Sequence, residues 1–149
     1  MKLACVAQRY GADIAGGSEA HCRAIAEHLA RHHDVTVIGG TGSVRESHPG
    51  ITVQTFDYMD RERFTWIPGF RRAYAERKLL ERLSMARHAI TYLVRQRFDI
   101  IHIQKPYDLL PALIAQRLSG AKVILGCHGE DFYRGDRWLA RHVDGAVSC

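Results

Sequence analysis

The chain has 149 residues, enough for one domain with a substantial core, and a single domain over 1–149 is expected. Hydrophobic residues make up 46% and charged residues 25%, and no apolar stretch reaches the length of a membrane span. The four cysteines are scattered without a C-x-x-C pair. This pattern favours buried free thiols in a reducing cytosol over disulfides or zinc ligands, and predicts a cytoplasmic protein.

The net charge of +5 is distributed unevenly. The segment 61–97 holds ten Lys or Arg against three Glu, whereas the rest of the chain is slightly acidic. Arg71, Lys78 and Arg82 recur at spacings of seven and four, which predicts one exposed helix face. Such a face suits an anionic membrane surface or a phosphorylated acceptor, although it can also be merely solvated. Nucleic acid is disfavoured, because no nucleic-acid-binding motif accompanies the charge.

Strands and helices alternate along the chain. The apolar patterns predict strands at 2–7, 34–39, 51–56, 99–103, 122–127 and 145–148, and helices at 18–33, 70–96, 109–118 and 138–142. The buried stripe of the long helix is expected to hold Leu79, Leu83, Ala86, Ile90 and Leu93. The alternation predicts an α/β fold: a Rossmann-like, three-layer α/β/α domain with a mostly parallel sheet of about six strands, in the order 3-2-1-4-5-6.

A glycine-bearing loop, 11–17, joins the first strand to the first helix. Gly16 and Gly17 precede Ser18 and Glu19, where free backbone N–H groups and the helix dipole favour an anion such as a phosphate. The glycines do not fit the dinucleotide fingerprint G-x-G-x-x-G, and they can equally serve only to make a tight turn. In the predicted sheet this loop and residues 104–108 line the cleft where the strand order reverses.

A second polar cluster, 128–131, follows the fifth predicted strand. His128 can donate to a substrate hydroxyl or phosphate, while Glu130 or Asp131 can accept from sugar hydroxyls or fix the imidazole tautomer. Gly129 lets the backbone turn tightly. The alternative is that an acid caps the following short helix and that His128 only packs. The sequence shows no convincing metal-binding pattern, so no metal is expected.

Several segments, in order, resemble the N-terminal domain of family 4 glycosyltransferases, which are retaining enzymes of the GT-B fold. These segments are Lys2 to Gly11, Gly16 to Glu19, Asp99 to Ile103, Leu110 to Leu113, His128 to Asp131 and Asp144 to Ser148. Each motif is weak alone, but their order and spacing extend over the whole chain. The resemblance implies one half of a GT-B fold and transfer of a hexosyl-type sugar from a nucleotide-sugar donor.

The resemblance also implies roles for individual residues. His128 matches the family's active-site histidine, which contacts the transferred sugar, and the Gly16–Gly17 loop with Ser18 and Glu19 would lie near the donor phosphates. The remaining cleft residues would face the sugar or acceptor: Gln104, Lys105, Gly129, Glu130 and Asp131. Gln104 stands where many relatives carry a second histidine. The basic helix and the preceding aromatic loop occupy the region that recognises the acceptor and sometimes docks on membranes.

A GT-B enzyme needs a second, nucleotide-sugar-binding domain, for which this sequence has no residues. The chain is therefore expected to be an excised or truncated acceptor-side domain, inactive alone. A UDP- or GDP-linked donor, no other cofactor and a position at the inner membrane face follow from the same resemblance. The alternative is a stand-alone Rossmann-like module that binds a nucleotide or a protein without catalysis.

Overall fold

Six strands among the described residues pair side by side in the order β3-β2-β1-β4-β5-β6, and all neighbouring pairs are parallel. The computed structural model describes residues 1–11, 16–42, 48–128 and 135–148. The strands are β1 (Lys2–Val6), β2 (Asp34–Gly40), β3 (Ile51–Phe56), β4 (Ile100–Ile103), β5 (Lys122–Cys127) and β6 (Gly145–Ser148). The α-helices are α1 (Gly17–Leu29), α2 (Tyr74–Gln96), α3 (Leu109–Ser119) and α4 (Asp136–Leu139). The predicted Rossmann-like sheet and its strand order are confirmed.

Two apolar layers cover the sheet. Side chains alternate across β1, so that Val6 packs with Met85 of α2 and Leu109 of α3, whereas Cys5 packs with Cys22 of α1 on the opposite face. The central strands are buried on both faces, which explains their nearly continuous apolar sequence. The arrangement leaves the carboxyl ends of the strands together at one edge of the sheet.

Two predicted helices are longer than those observed. Helix α1 ends at Leu29 rather than at His33, because the chain turns there to enter β2. Helix α2 begins at Tyr74 rather than at Phe70, because the chain turns repeatedly before it and Gly69 adopts a φ of 86°. The left-handed region that contains this angle favours glycine.

The buried side of α2 changes character along its length. Its buried residues are Arg77, Glu81, Arg82, Met85, Ala86, Ala89 and Leu93. The predicted apolar stripe is therefore only partly correct: Ala86 and Leu93 are buried, but Leu79, Leu83 and Ile90 are half-buried. The C-terminal half of α2 packs as an apolar helix, and its N-terminal half places charged groups against the sheet edge.

The cysteines agree with the prediction of free thiols. Cys5 and Cys22 are free and buried, and Cys127 is free and half-buried, while Cys149 lies outside the described residues. Over the described ranges, no helix combines the length and the apolar character needed to cross a membrane.

Candidate functional site

The strand order reverses between β1 and β4, and polar side chains follow both strands at this point. Gln8 lies two residues beyond β1, and Gln104 and Lys105 follow β4 directly. All three are buried, with Gln104 only 2% exposed. Because ligands of open parallel sheets bind beyond the carboxyl ends at such a reversal, this edge is the candidate site.

His128 stands at this edge, directly after β5, where the sequence predicted it. Its Nε2 lies 3.1 Å from Oε1 of Gln104, and Nε2 of Gln104 lies 3.2 Å from Nδ1 of His102. We call these three side chains the amide relay. The His128 ring also meets His21 of α1 edge to face, with ring centroids 4.8 Å apart. The structure thus brings Gln104 and His128 together, as their positions at adjacent strand ends predicted.

His102, the last residue of the amide relay, lies beside a pair of buried thiols, Cys5 and Cys22. A hydrogen bond between Cys5 and Cys22 is the main cause that lowers the pKa of Cys5 to about 6, with burial opposing it and His102 assisting it. The same hydrogen bond and burial raise the pKa of Cys22 well above its usual range. This pair could not be predicted from the sequence, because Cys5 and Cys22 lie on different elements without a motif spacing.

The first turn of α1 contains a carboxylate, that of Glu19. Gly16 precedes the helix, and the Ser18 hydroxyl donates to Oε2 of Glu19 at 2.6 Å. Burial raises the pKa of Glu19, but hydrogen bonds from Ser18 and the Glu19 backbone N–H, together with Lys105 and Arg82, lower it overall. A Cβ on Gly16 would collide with this carboxylate. Glycine at 16 therefore makes room for Glu19, and Gly17 is exposed beside it.

Charged residues of α2 and its neighbours form a second group at the edge, which we call the ionic cluster. Its members are Arg61, Arg77, Glu81, Arg82 and Asp108, with Gln8 hydrogen-bonded to it. These residues come from four separate parts of the chain.

Glu81 lies at the centre of one half of the cluster and is 2% exposed. Its Oε1 accepts a hydrogen bond from Nε2 of Gln8, and its Oε2 lies 3.9 Å from Nε of Arg61. Arg77 pairs with Glu62 at 3.2 Å and lies against the Tyr74 ring, with 5.9 Å between the guanidinium carbon and the ring centroid. These contacts tie the short 3₁₀ helix Arg61–Phe64 to α2 and to the end of β1.

The other half of the cluster joins α2 to the loop after β4. Nη1 of Arg82 lies 3.7 Å from Oδ2 of Asp108, and both side chains are buried. Burial raises the pKa of Asp108, and the charges of Arg82, Lys105 and Lys78 oppose that rise. The Lys78 ammonium lies 5.0 Å from the centroid of the Tyr107 ring.

The predicted exposed face of Arg71, Lys78 and Arg82 is wrong in its geometry. Arg71 is exposed but lies in the turn before α2. Lys78 is half-buried against two tyrosines, and Arg82 is only 4% exposed because it pairs with Asp108. The exposed basic groups near the start of α2 are instead Arg63, Arg71 and Arg72, beside Trp66, which is 79% exposed, and the acids Glu62 and Glu76 are exposed there too.

Three of the predicted cleft residues, Gly129, Glu130 and Asp131, lie outside the described residues. Within the described ranges, no three His, Cys, Asp or Glu side chains are grouped as they would be to hold a metal ion. An open cavity of about 490 Å³ lies between the loop after β3 and α2. Its lining includes Asp57, Tyr58, Leu83 and Arg87.

Comparison with solved structures and sequence families gives this geometry a context. The crystal structure of HepE (Alr3699) from Anabaena in complex with UDP matches the chain with a TM-score of 0.53 at 13% identity. The match covers 98% of this chain and 37% of that one, so the chain spans little more than a third of HepE. At this identity the likeness establishes the fold. None of the curated proteins matches the sequence. The family model for glycosyltransferase family 4 matches residues 15–148, and the chain therefore belongs to glycosyltransferase family 4.

Proposed function

We propose that this chain is the N-terminal, acceptor-side domain of a retaining glycosyltransferase that moves a sugar from a nucleotide-sugar to an acceptor. The observation that carries the proposal is the hydrogen-bonded His128 and Gln104 pair at the strand-order reversal of a family 4 domain. A second Rossmann-like domain would close over this edge and bind most of the donor. The UDP bound to HepE, which has the same fold, supports a nucleotide-linked donor for this chain.

In this proposal each side of the cleft has its own task. His128 contacts the transferred sugar from the end of β5, where its ring is already held by Gln104. Lys105 supplies positive charge close to Glu19, whose pKa it helps to lower, and can likewise attract donor or acceptor oxygens. The N–H groups at the start of α1 face the donor phosphates. Gly129, Glu130 and Asp131 complete the sugar and acceptor side, with Gln104 buried behind His128, and no metal is needed.

The chain alone is proposed to bind UDP or GDP weakly and to catalyse no transfer. Glu19 already places a carboxylate at the start of α1, and a diphosphate there would meet that negative charge. Calorimetric titration of the 149-residue chain with UDP and with GDP should therefore show no micromolar binding. Micromolar affinity would favour the stand-alone nucleotide-binding module instead.

The direct test uses a protein that joins this domain to a nucleotide-sugar-binding domain. A panel of UDP- and GDP-linked sugars is screened by thermal shift, because a ligand that binds only the native state raises the melting temperature. The stabilising donor is then used in a transfer assay, with the anomeric configuration of the product followed by NMR. Retention of configuration supports the proposal, and inversion or the lack of any stabilising nucleotide-sugar contradicts it.

The proposed acceptor side includes the surface before α2. Arg63, Arg71 and Arg72 are exposed there, and the exposed Trp66 ring stands between the first two in sequence. Basic residues beside an exposed aromatic ring suit an anionic membrane surface, where the ring enters the interface and the cations meet lipid headgroups. A cytoplasmic enzyme bound at the inner face of the membrane is the corresponding proposal.

A further inference from the structure

A glycine in β5 leaves the space in which His128 meets Gln104. A Cβ built on Gly126 would lie 3.1 Å from Nε2 of His128, 3.3 Å from Oε1 of Gln104 and 3.4 Å from the Ile103 carbonyl oxygen. Real Cβ contacts are rarely as close as the first two. The hydrogen bond between the two side chains therefore passes directly over the glycine, and a larger residue would push it aside.

The orientation of the Gln104 amide determines which ring nitrogens of His102 and His128 carry a hydrogen, because one end of the amide donates and the other accepts. In the observed orientation its NH₂ group donates to Nδ1 of His102, and its carbonyl oxygen faces Nε2 of His128. A carbonyl oxygen only accepts, so Nε2 of His128 must carry the hydrogen. Gln104 is 2% exposed and His102 is 8% exposed, so water competes little for the hydrogen bond between these two residues, whereas His128 is half-buried.

We infer that Gln104 is a positioning residue that holds His128 as the Nε2–H tautomer, through the space that Gly126 leaves open. The inference rests on the proposed role of His128 at the transferred sugar. In this tautomer Nδ1 is the acceptor nitrogen of the neutral ring, so the relay decides which side of the ring accepts a substrate hydroxyl. The sequence also allows Glu130 or Asp131 to fix the tautomer, and both lie outside the described residues.

The first test reads the tautomer itself, in the 149-residue chain without substrate. Long-range ¹H–¹⁵N correlation spectra of histidine-labelled protein distinguish protonated from unprotonated ring nitrogens, and the His128 signals are identified by their loss in His128→Gln. The expected result is a single Nε2–H tautomer at neutral pH. An Nδ1–H tautomer would overturn the inference, because it requires the reversed amide of Gln104.

Two variants break the relay in different ways. Gln104→Leu removes the acceptor, and Gly126→Ala keeps every polar group but crowds the hydrogen bond. Both should convert the single tautomer of His128 into a mixture. Gly145→Ala is the matched control, because a Cβ on this glycine of the neighbouring β6 meets no atom within 4 Å. Retention of the wild-type tautomer in both relay variants would show that other groups hold the ring.

A third variant gives a readout in the two-domain enzyme. Gln104→Glu retains an acceptor for Nε2–H but adds a negative charge beside His128, whose titratable neighbours among the described residues include His21 and, through Gln104, His102. The added charge should raise the pKa of His128, and the pH profile of kcat should move up with it. An unchanged profile contradicts the positioning role. If the two-domain enzyme transfers no sugar although the tautomer is as inferred, the proposed function fails while the positioning role stands.

Discussion

Two polar regions meet at the carboxyl edge of this sheet, and they are built on opposite principles. The amide relay joins two histidine rings through the Gln104 amide, by hydrogen bonds of 3.1 and 3.2 Å across β5 and β4. The ionic cluster uses charged groups whose separations, 3.7 Å for Arg82 and Asp108 and 3.9 Å for Arg61 and Glu81, are longer than good hydrogen bonds. Hydrogen bonds fix the positions of the side chains in the amide relay, whereas opposite charges compensate one another in the ionic cluster.

This difference separates two contributions to the protein. The neutral amide of Gln104 can orient a ring without the large desolvation cost of a buried ion, which suits a group that must be aimed at a substrate. A buried ion pair contributes little net stability but becomes costly once one partner is removed. We therefore expect damage to the relay to impair chemistry, and damage to the cluster to impair folding.

The largest expected effect comes from breaking the buried ion pair. Arg82→Met leaves the Asp108 carboxylate without its nearest cation and should lower the free energy of unfolding by about 3 kcal/mol. The charges of Lys105 and Lys78 still act on Asp108. The loss of stability should therefore lie at the low end of the range expected when one partner of a buried ion pair is removed. Chemical denaturation measures it. The double variant Arg82→Met/Asp108→Leu is the control and should recover part of the loss; a double variant less stable than Arg82→Met would contradict this account.

The pH dependence of Arg82→Met sharpens the same comparison. Burial already raises the pKa of Asp108 in the folded chain, and removal of Arg82 should raise it further. The folded state then binds more protons than the unfolded state above pH 3.8, so stability falls as pH rises through the window between the two pKa values. Denaturation midpoints at a series of pH values should show a steeper fall for Arg82→Met than for wild type. Parallel curves would show that Asp108 does not titrate in this window.

The next effect lies in the relay and concerns activity. In the two-domain enzyme, His128→Ala should lower kcat about a hundredfold or more, because a positioned polar contact to the reacting sugar is lost. His128 is only half-buried, so the melting temperature should change little. Steady-state kinetics and thermal unfolding on one preparation separate the two properties. Full turnover with a collapsed melting temperature would make His128 a packing residue.

A smaller effect is expected at Gln8, whose neutral amide is hydrogen-bonded to a charged residue of the ionic cluster. Gln8→Ala removes the hydrogen bond that the Gln8 amide donates to the buried carboxylate of Glu81, and should cost about 2 kcal/mol of stability. Gln96→Ala is the matched control, because that amide is exposed, and it should cost less than about 0.5 kcal/mol. Equal losses in the two variants would mean that the Gln8 contact adds nothing.

The sequence was informative where local pattern and buried position coincide. Apolar runs placed β3, β5 and β6 at their observed bounds, and a histidine at a strand end placed His128 in the cleft. Parallel strands bring their ends to one edge, so the nearness of Gln104 and His128 followed from strand order alone.

The ionic cluster was hidden from the sequence for a physical reason. Spacing along α2 shows which residues share a face, but it does not show what that face meets. Arg82 and Glu81 looked like members of a solvated basic helix, yet the loop after β4 brings Asp108 and the end of β1 brings Gln8 against them. Long-range partners of this kind are set by tertiary packing. The turn before α2 likewise moved Arg71 off the helix.

The smallest expected effect concerns the exposed arginines before α2, which lie outside the ionic cluster. It tests whether they bind an anionic lipid surface. Co-sedimentation with vesicles that contain anionic lipid should fall about fivefold for Arg71→Ala, because one basic residue near such a surface contributes about 1 kcal/mol. Trp66→Ala should also weaken binding, since its exposed ring would enter the interface.

The control is Arg95→Ala, which removes an exposed arginine from the last turn of α2, far along the helix from this surface. Added salt should weaken wild-type binding, because it screens the headgroup charge. Equal binding by Arg71→Ala and Arg95→Ala, or no binding by the wild type at low salt, would mean that the exposed arginines before α2 only solvate the surface.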